Sequence, residues 1–171
     1  MHEITIVDGY NLIYSQLQGK EPVDLAHARE RLLSQLAQYA VLAGVAVVVV
    51  FDAYRVKGGK EHTEQRDGLT VIFTAEGESA DTVIERLVAQ LAGRFTVSVV
   101  TADWAEQRVV LGYGALRIPP KEFELQVNEI IKQHQSLVPT ASRPGDDYVE
   151  NRLADDIRAI LAKWGREKGK T

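Results

Sequence analysis

The chain alternates short apolar runs with longer segments whose apolar residues recur every three or four positions. The runs at 3–7, 45–51, 69–74 and 95–101 have the length and β-branched content of strands. The run at 45–51, VAVVVVF, contains no polar residue, a pattern typical of a parallel strand that is covered on both faces. These runs predict a central, mainly parallel sheet.

Helical periodicity fills most of the remaining chain. Helices are predicted over 24–43, 79–93, 103–111, 121–136 and 147–165. Asp24 and Ser79 are suited to cap the first two, and Gly44 is suited to end the first. Residues 54–67 are polar and are predicted to form a loop. Strands that alternate with helices predict a three-layer α/β/α fold with four to five strands.

Proline and glycine separate the last predicted helix from the rest of the chain. Residues 137–146 hold Pro139, Pro144 and Gly145 and are predicted to be a linker. We expect residues 1–136 to form one domain, and residues 147–171, a helix with a basic tail, to pack on it.

An aspartate stands at each of the four junctions that follow a predicted strand. Asp8 and Asp52 end the first two strands. Asp81 begins the helix after the third strand, with Glu85 one turn further on, and Asp103 lies two residues beyond the fourth strand. Because the carboxyl ends of parallel strands lie along one edge of a sheet, these side chains are predicted to meet there.

Two interpretations of these acids stay open. Each aspartate alone is explained as a turn or helix-capping residue. Together they form a concentration of negative charge that a cation would relieve. Mg²⁺ or Mn²⁺, hard ions that prefer oxygen ligands, would suit such a site. The candidate metal ligands are Asp8, Asp81, Asp103 and Glu85.

Other chemistries find fewer of their residues in this chain. There is no cysteine, so a thiol nucleophile and a disulfide are both excluded. The four histidines lie away from the predicted strand–helix junctions, and Ser79 has no evident base partner for a triad. Metal-assisted attack of water on a phosphodiester remains. In that reaction Asn11 or Thr101 would orient the water or a phosphate oxygen without adding negative charge.

Charge and hydropathy limit the partners of the protein. The formal net charge is −4, so any binding of nucleic acid has to be local or assisted by a partner. The candidate residues for contacts with nucleic-acid phosphates are Arg55, Lys57, Lys60, Arg66, Thr101 and Arg117. A solvated surface explains the basic loop at 54–67 equally well. The longest apolar run is too short for a membrane span and no signal peptide is evident, which favours the cytoplasm.

Five segments of the chain resemble those of one protein family. VDGYN, VVVFDAYRVKG, VIFTAEGESADTVIERL, VVTADWAEQ and GYGALR, in this order, are similar to the YacP-like branch of NYN-domain proteins, relatives of the PIN-domain nucleases. The resemblance covers about residues 3–136. It implies a PIN-like fold and an endoribonuclease site that depends on Mg²⁺ or Mn²⁺. By motif match, the catalytic residues would be Asp8, Asn11, Asp52, Asp81 and Asp103.

The resemblance also implies partners. RNA, in the form of mRNA, would be the substrate, and the ribosome would present it; no organic cofactor and no membrane are expected. One position departs from the family pattern. Many PIN nucleases carry a further aspartate where this chain has Ala105, and Glu106 follows it.

Other classes of function stay open beside this one. An RNA- or ribosome-binding module with a vestigial acidic site would have the same strand-end acids. A phosphatase of the haloacid dehalogenase type also places aspartates at strand ends, but it needs a second aspartate where this chain has Tyr10. It also needs a lysine near the later acids, and the same missing lysine disfavours a response-regulator receiver.

Overall fold

A computed structural model describes residues 2–18, 20, 22–53, 58–103, 108, 110–135, 155–160 and 162–163. The strands are β1 (Glu3–Asp8), β2 (Ala46–Phe51), β3 (His62–Arg66), β4 (Leu69–Phe73), β5 (Thr96–Val100) and β6 (Leu116–Ile118). The longer helices are α1 (Gly9–Gln16), α2 (Leu25–Ala43), α3 (Ala80–Leu91) and α4 (Pro120–Gln135).

The chain divides into two compact units, residues 1–138 and 139–171. The sheet and the four helices belong to the first unit, where residues 108 and 110–112 are also helical. In the second unit, residues 155–160 and 162–163 are helical. The predicted linker at 137–146 lies outside the described residues. No helix in the described part of the chain combines the length and apolarity that crossing a membrane requires.

The described strands form one six-stranded sheet in the order β3-β4-β2-β1-β5-β6. All neighbouring strands are parallel except β3, which runs antiparallel to β4. The chain extends the sheet from β1 first through β2 and β4, and then on the other side through β5 and β6. The predicted α/β fold with a mainly parallel sheet is confirmed, and two short edge strands, β3 and β6, raise the strand number to six.

Both faces of the sheet are covered, as the apolar run in β2 predicts. Val47, Val49 and Phe51 belong to the core cluster beneath α1, α2 and α4. Val48 and Val50 are buried on the opposite face, where α3 contacts β1 and β2. Consecutive residues of a strand point to opposite faces, so a strand buried on both sides must be apolar throughout.

The segment after β1 is a helix that the apolar pattern does not predict. Asp8 is its N-cap, and Gly9 is its first residue. Leu12 and Ile13 are buried against the core, so this helix has an apolar face of its own. Because Asp and Asn favour both turns and helix starts, the VDGYN segment alone does not distinguish the two.

The predicted loop over 54–67 is also corrected. Residues 62–66 form β3, which pairs with β4 across a two-residue turn of Asp67 and Gly68. Both turn residues have positive φ, of 50° and 81° respectively, the backbone that an Asp-Gly hairpin turn adopts. The polar sequence HTEQR hides this strand because it lies at the sheet edge with little apolar surface to bury.

Candidate active site at the carboxyl edge of the sheet

Asp8 occupies the centre of the carboxyl edge. It is the last residue of β1 and pairs with Val50 of β2. On its other side Val7 pairs with Val100, the last residue of β5, so Thr101, which directly follows β5, lies beside Asp8. Since Val7 faces the core under α1 and α2, Asp8 faces the α3 side of the sheet.

Asn11 holds the Asp8 carboxylate in place. The Asp8 side chain is only 6% exposed. Its Oδ1 accepts a hydrogen bond from the backbone N–H of Asn11 at 3.3 Å, and its Oδ2 accepts one from Asn11 Nδ2 at 2.9 Å. Both carboxylate oxygens therefore have a donor from the first turn of α1. The role predicted for Asn11 toward water or phosphate stays a prediction.

Three of the predicted acids interact electrostatically. Burial raises the pKa of Asp8 above its ordinary value, and the negative charges of Asp81 and Asp52 raise it further. The two hydrogen bonds from Asn11 oppose this shift. The structure thus brings Asp8, Asp52 and Asp81 together, whereas Asp103 and Glu85 are not among the charges that shift the pKa of Asp8.

Asp52 and Asp81 both lie at the N-terminus of α3. Ser79 caps this helix, and its Oγ accepts a hydrogen bond from the backbone N–H of Thr82 at 3.3 Å. Asp81 lies in the first turn, where the helix dipole favours a negative charge. The backbone N–H of Ala80 donates to Asp52 Oδ2 at 3.5 Å. Half-buried Glu85 follows one turn further along α3.

The Asp103 backbone is held by Thr101, the residue directly after β5. Its backbone N–H donates to Thr101 Oγ1 at 3.1 Å. Thr101 is fully buried, and its side chain positions the backbone of Asp103. Arg117 donates from Nε to the Thr101 carbonyl at 3.0 Å. The predicted RNA contacts of Thr101 and Arg117 stay predictions, and the contacts observed for both residues are within the fold.

A glycine allows α1 to start directly above the core. A Cβ atom placed on Gly9 would lie 2.4 Å from Cε1 of Phe51, closer than any real contact. Its φ is not in the left-handed region, so space and not backbone conformation requires glycine here. This role of Gly9 was missed from the sequence, because it depends on the position of Phe51 in the folded chain.

The loop between β4 and α3 is tied to the neighbouring loop. Thr74 accepts from the backbone N–H of Ala53 through Oγ1 at 2.9 Å. The Glu76 carboxylate accepts from the N–H of Gly58 at 2.7 Å, and the Glu76 N–H donates to the Gly59 carbonyl at 2.9 Å. Buried Glu78 forms an ion pair with Arg86 of α3. These contacts fix the chain on both sides of the acids.

The basic residues are divided between different places. Lys60 is exposed in the segment before β3. Arg66 lies at the far end of β3, opposite Leu69, and its guanidinium forms an ion pair with Glu30 of α2. It is therefore on a strand and not in a loop that opens on the carboxyl edge. Arg55, Lys57, Ala105 and Glu106 lie outside the described residues.

Comparison with known proteins decides the family. The family model described as YacP-like NYN domain matches residues 5–166 of the 171-residue chain. The chain belongs to the YacP-like NYN domain family. The protein YacP of Bacillus subtilis is 35% identical over 170 residues, which cover 96% of this chain and 97% of YacP.

Two solved structures are similar to this YacP-like NYN chain. The crystal structure of Rae1 (YacP) from Bacillus subtilis superposes with a TM-score of 0.66 at 32% identity, covering 95% of this chain and 94% of that one. Its W164L mutant gives a TM-score of 0.65 at 36% identity, covering 78% and 79%. NYN domains are generally nucleases, so membership of this family supports a hydrolase.

The acids of this YacP-like NYN domain fit a hard cation by their chemistry. All are oxygen donors, and burial together with the charges of Asp81 and Asp52 disfavours ionisation of Asp8, a cost that a divalent ion would offset. Within the described residues, no three acidic or histidine side chains are arranged to hold one ion. Mg²⁺ commonly uses one or two carboxylates and retains several waters, so two protein ligands suffice.

Proposed function

We propose that this chain is a divalent-metal-dependent endoribonuclease that hydrolyses RNA phosphodiester bonds, with mRNA presented by the ribosome as its substrate. One observation carries the proposal: buried Asp8 is held by Asn11 while Asp52 and Asp81 concentrate negative charge around it. Burial first, and then the charges of Asp81 and Asp52, make ionisation of Asp8 costly, and carboxylates perturbed in this way are concentrated at functional sites. Membership of the YacP-like NYN family supports the same class of reaction.

In this proposal the residues have distinct roles. Asp8 and Asp81 hold Mg²⁺ or Mn²⁺, with Asp103 and Glu85 as further candidate ligands. Asp52 adds negative charge and contacts the start of α3, and Asn11 keeps both oxygens of Asp8 in a fixed orientation. A bound divalent ion would lower the pKa of a water molecule and stabilise negative charge on the phosphate.

RNA would approach along the carboxyl edge. Exposed Lys60, together with Arg55 and Lys57, is proposed to contact phosphates next to the acids. Arg117 is a further candidate, although its Nε is engaged by the Thr101 carbonyl. Because the chain has a net charge of −4, a partner that presents the RNA would compensate for weak general attraction to phosphate.

Cleavage of a labelled mRNA fragment, with and without ribosomes, tests the proposal. Wild-type protein is expected to cleave in Mg²⁺ or Mn²⁺ and to stop when EDTA is added. Asp8→Asn and Asp81→Asn are expected to lower the rate by about 100-fold or more, the size of effect seen when one preorganised electrostatic contact is lost. Cleavage that survives both substitutions and EDTA would rule the proposal out.

Asp24→Asn is the matched control. Asp24 is also the N-cap of a helix, and its Oδ1 accepts from the backbone N–H of His27 at 3.1 Å. It is exposed and does not act on the pKa of Asp8. Asparagine caps helices about as well as aspartate, so this variant should cleave RNA at the wild-type rate.

A second candidate is an RNA- or ribosome-binding module without catalysis. It is favoured by the lack, within the described residues, of a group of three side chains arranged to hold an ion. If this candidate is right, Asp8→Asn will leave the cellular effect of the protein unchanged while cleavage is undetectable in every metal.

A further inference from the structure

Four rings form a continuous row across the carboxyl ends of β1, β2 and β4. Tyr10 lies 5.0 Å from Phe51, Phe51 lies 5.5 Å from Phe73, and Phe73 lies 6.2 Å from His62, measured between ring centroids. The guanidinium of Arg29 lies over the rings of Phe51 and Phe73, at 5.9 and 5.6 Å. We call Tyr10, Phe51, Phe73 and His62 the aromatic row.

The row runs from the core to solvent. Phe51 is fully buried, Phe73 is half-buried, and the His62 side chain is 61% exposed. Core packing accounts for Phe51 and for the inner side of Phe73. It does not account for an exposed imidazole that lies nearly parallel to Phe73, with an angle of 24° between the ring planes.

The His62 ring is held by a contact between its edge and the Glu64 carboxylate. Nε2 lies 2.8 Å from Oε1 of Glu64, which is two residues further along β3 and on the same face. This contact fixes the ring through a nitrogen at its edge. A flat partner would therefore meet the face of the imidazole that is turned away from Phe73.

The hairpin turn brings His62 to the edge that carries the acids. In the β3–β4 register His62 is opposite Phe73, the last residue of β4, while β2 beside it ends at Phe51, directly before Asp52. Two strand spacings, about 10 Å, separate β3 from β2. The row lies on the α2 side of the sheet and Asp8 on the α3 side, so an RNA that touches both crosses the edge.

We propose that the outer face of His62, backed by Phe73, is a stacking site for one nucleobase of the RNA. Every base has a π-face, so a platform of this kind binds single strands without strong sequence preference. It also suits a chain with net negative charge, because stacking contributes affinity that does not depend on phosphate neutralisation. The inference rests on the proposed function, since it assigns a subsite to the same RNA.

Binding of a short single-stranded oligoribonucleotide that contains 2-aminopurine tests the site. The measurement uses the full chain carrying Asp8→Asn, which keeps the RNA intact, and records anisotropy for affinity and 2-aminopurine fluorescence for stacking. Adding His62→Ala is expected to weaken binding by about 5- to 150-fold and to remove the quenching. Adding His62→Phe should keep the affinity within about twofold, because the ring face remains.

Two further variants separate stacking from other roles. His62→Lys supplies a positive side chain without a ring and should weaken binding as His62→Ala does. His134→Ala changes another exposed histidine, which contacts the Ile130 carbonyl on α4, and should bind as the parent does. Thermal unfolding of each variant verifies that the fold is intact, as expected for an exposed side chain.

The outcomes distinguish this site from the proposed function. If His62→Ala binds RNA as tightly as the parent, or if His62→Lys retains binding that His62→Phe loses, the stacking site is wrong even where wild-type protein cleaves RNA. If the parent binds RNA through His62 but wild-type protein cleaves none, the site stands and the catalytic proposal fails. If the parent binds no RNA, both are overturned.

Discussion

The Asp8 side chain has two opposing effects on the stability of the folded protein. As the N-cap of α1 it satisfies the backbone N–H of Asn11, which stabilises the helix. As a buried carboxylate near Asp52 and Asp81 it is costly to ionise. The strand-end position of Asp8 could be predicted from the pattern of the sequence. The two hydrogen bonds from Asn11 could not, because they depend on a helix, α1, that the sequence pattern did not predict.

This conflict predicts that Asp8→Asn stabilises the metal-free protein. The folded-state pKa of Asp8 lies above its ordinary value of 3.8, so the folded chain binds this proton more readily than the unfolded chain. The contribution of Asp8 to stability therefore falls as pH rises through the folded-state pKa, and it is recovered below 3.8. Asparagine keeps the cap and removes the charge.

Urea unfolding in EDTA checks this prediction. At pH 7 the Asp8→Asn variant should have a higher free energy of unfolding than wild type, and the difference should shrink on acidification toward pH 4. Asp8→Ala, which loses the cap, should be about 1 kcal/mol less stable than Asp8→Asn. A variant Asp8→Asn that is less stable than wild type at pH 7 would contradict the raised pKa of Asp8.

Helices and strands differ in how well they could be predicted. The buried strands β1, β2, β4 and β5 and helices α2, α3 and α4 carry clear apolar patterns, and all are present. β3 was missed because an edge strand buries little, although the Asp-Gly turn at 67–68 was a usable signal. A hairpin built on that turn pairs His62 with Phe73 and so places His62 at the carboxyl edge. The apolar pattern alone did not predict this position.

The close contact between Gly9 of α1 and Phe51 of β2 gives a prediction about how these two elements pack. Gly9→Ala would improve helix propensity, but the new methyl would meet the Phe51 ring at 2.4 Å. Overpacking of this kind costs about 1–3 kcal/mol, so the clash should dominate. The melting temperature is expected to fall by about 2–4 °C per kcal/mol, and RNA cleavage should fall too because Asp8 directly precedes this contact.

Gly93→Ala is the control for that variant. A Cβ on Gly93 would meet nothing within 4 Å, and its φ is outside the left-handed region. The control should therefore melt at or slightly above the wild-type temperature. Equal melting temperatures for Gly9→Ala and wild type would mean that Phe51 moves aside freely.

For the whole molecule, the balance of charge limits how RNA is held. The net charge of −4 follows from the composition, but the contacts that individual basic side chains make within the fold could not be predicted from it. Arg66 pairs with Glu30 on α2, and Arg117 contacts the Thr101 carbonyl. These pairings join residues far apart in the chain, so they depend on tertiary structure.

A shallow salt dependence of RNA binding follows. Three cations, Arg55, Lys57 and Lys60, remain as the main candidates for phosphate contacts. With a slope near −0.7 per phosphate for single strands, log affinity against log salt should have a slope of about −2. Fluorescence anisotropy over a potassium chloride series measures it. A slope steeper than about −5 would show that many more phosphates are neutralised than this site provides.

The central claim is that Asp8 and Asp81, with Asp52 beside them, form a divalent-cation site at the carboxyl edge. Mn²⁺ titration followed by electron paramagnetic resonance tests it without RNA. Wild type and Asp24→Asn should bind Mn²⁺ with equal affinity. Asp8→Asn and Asp81→Asn should bind Mn²⁺ at least about tenfold more weakly, because even substitution of a residue that only supports a metal ligand lowers metal affinity by that much. Wild-type affinity in Asp8→Asn and Asp81→Asn would contradict the account.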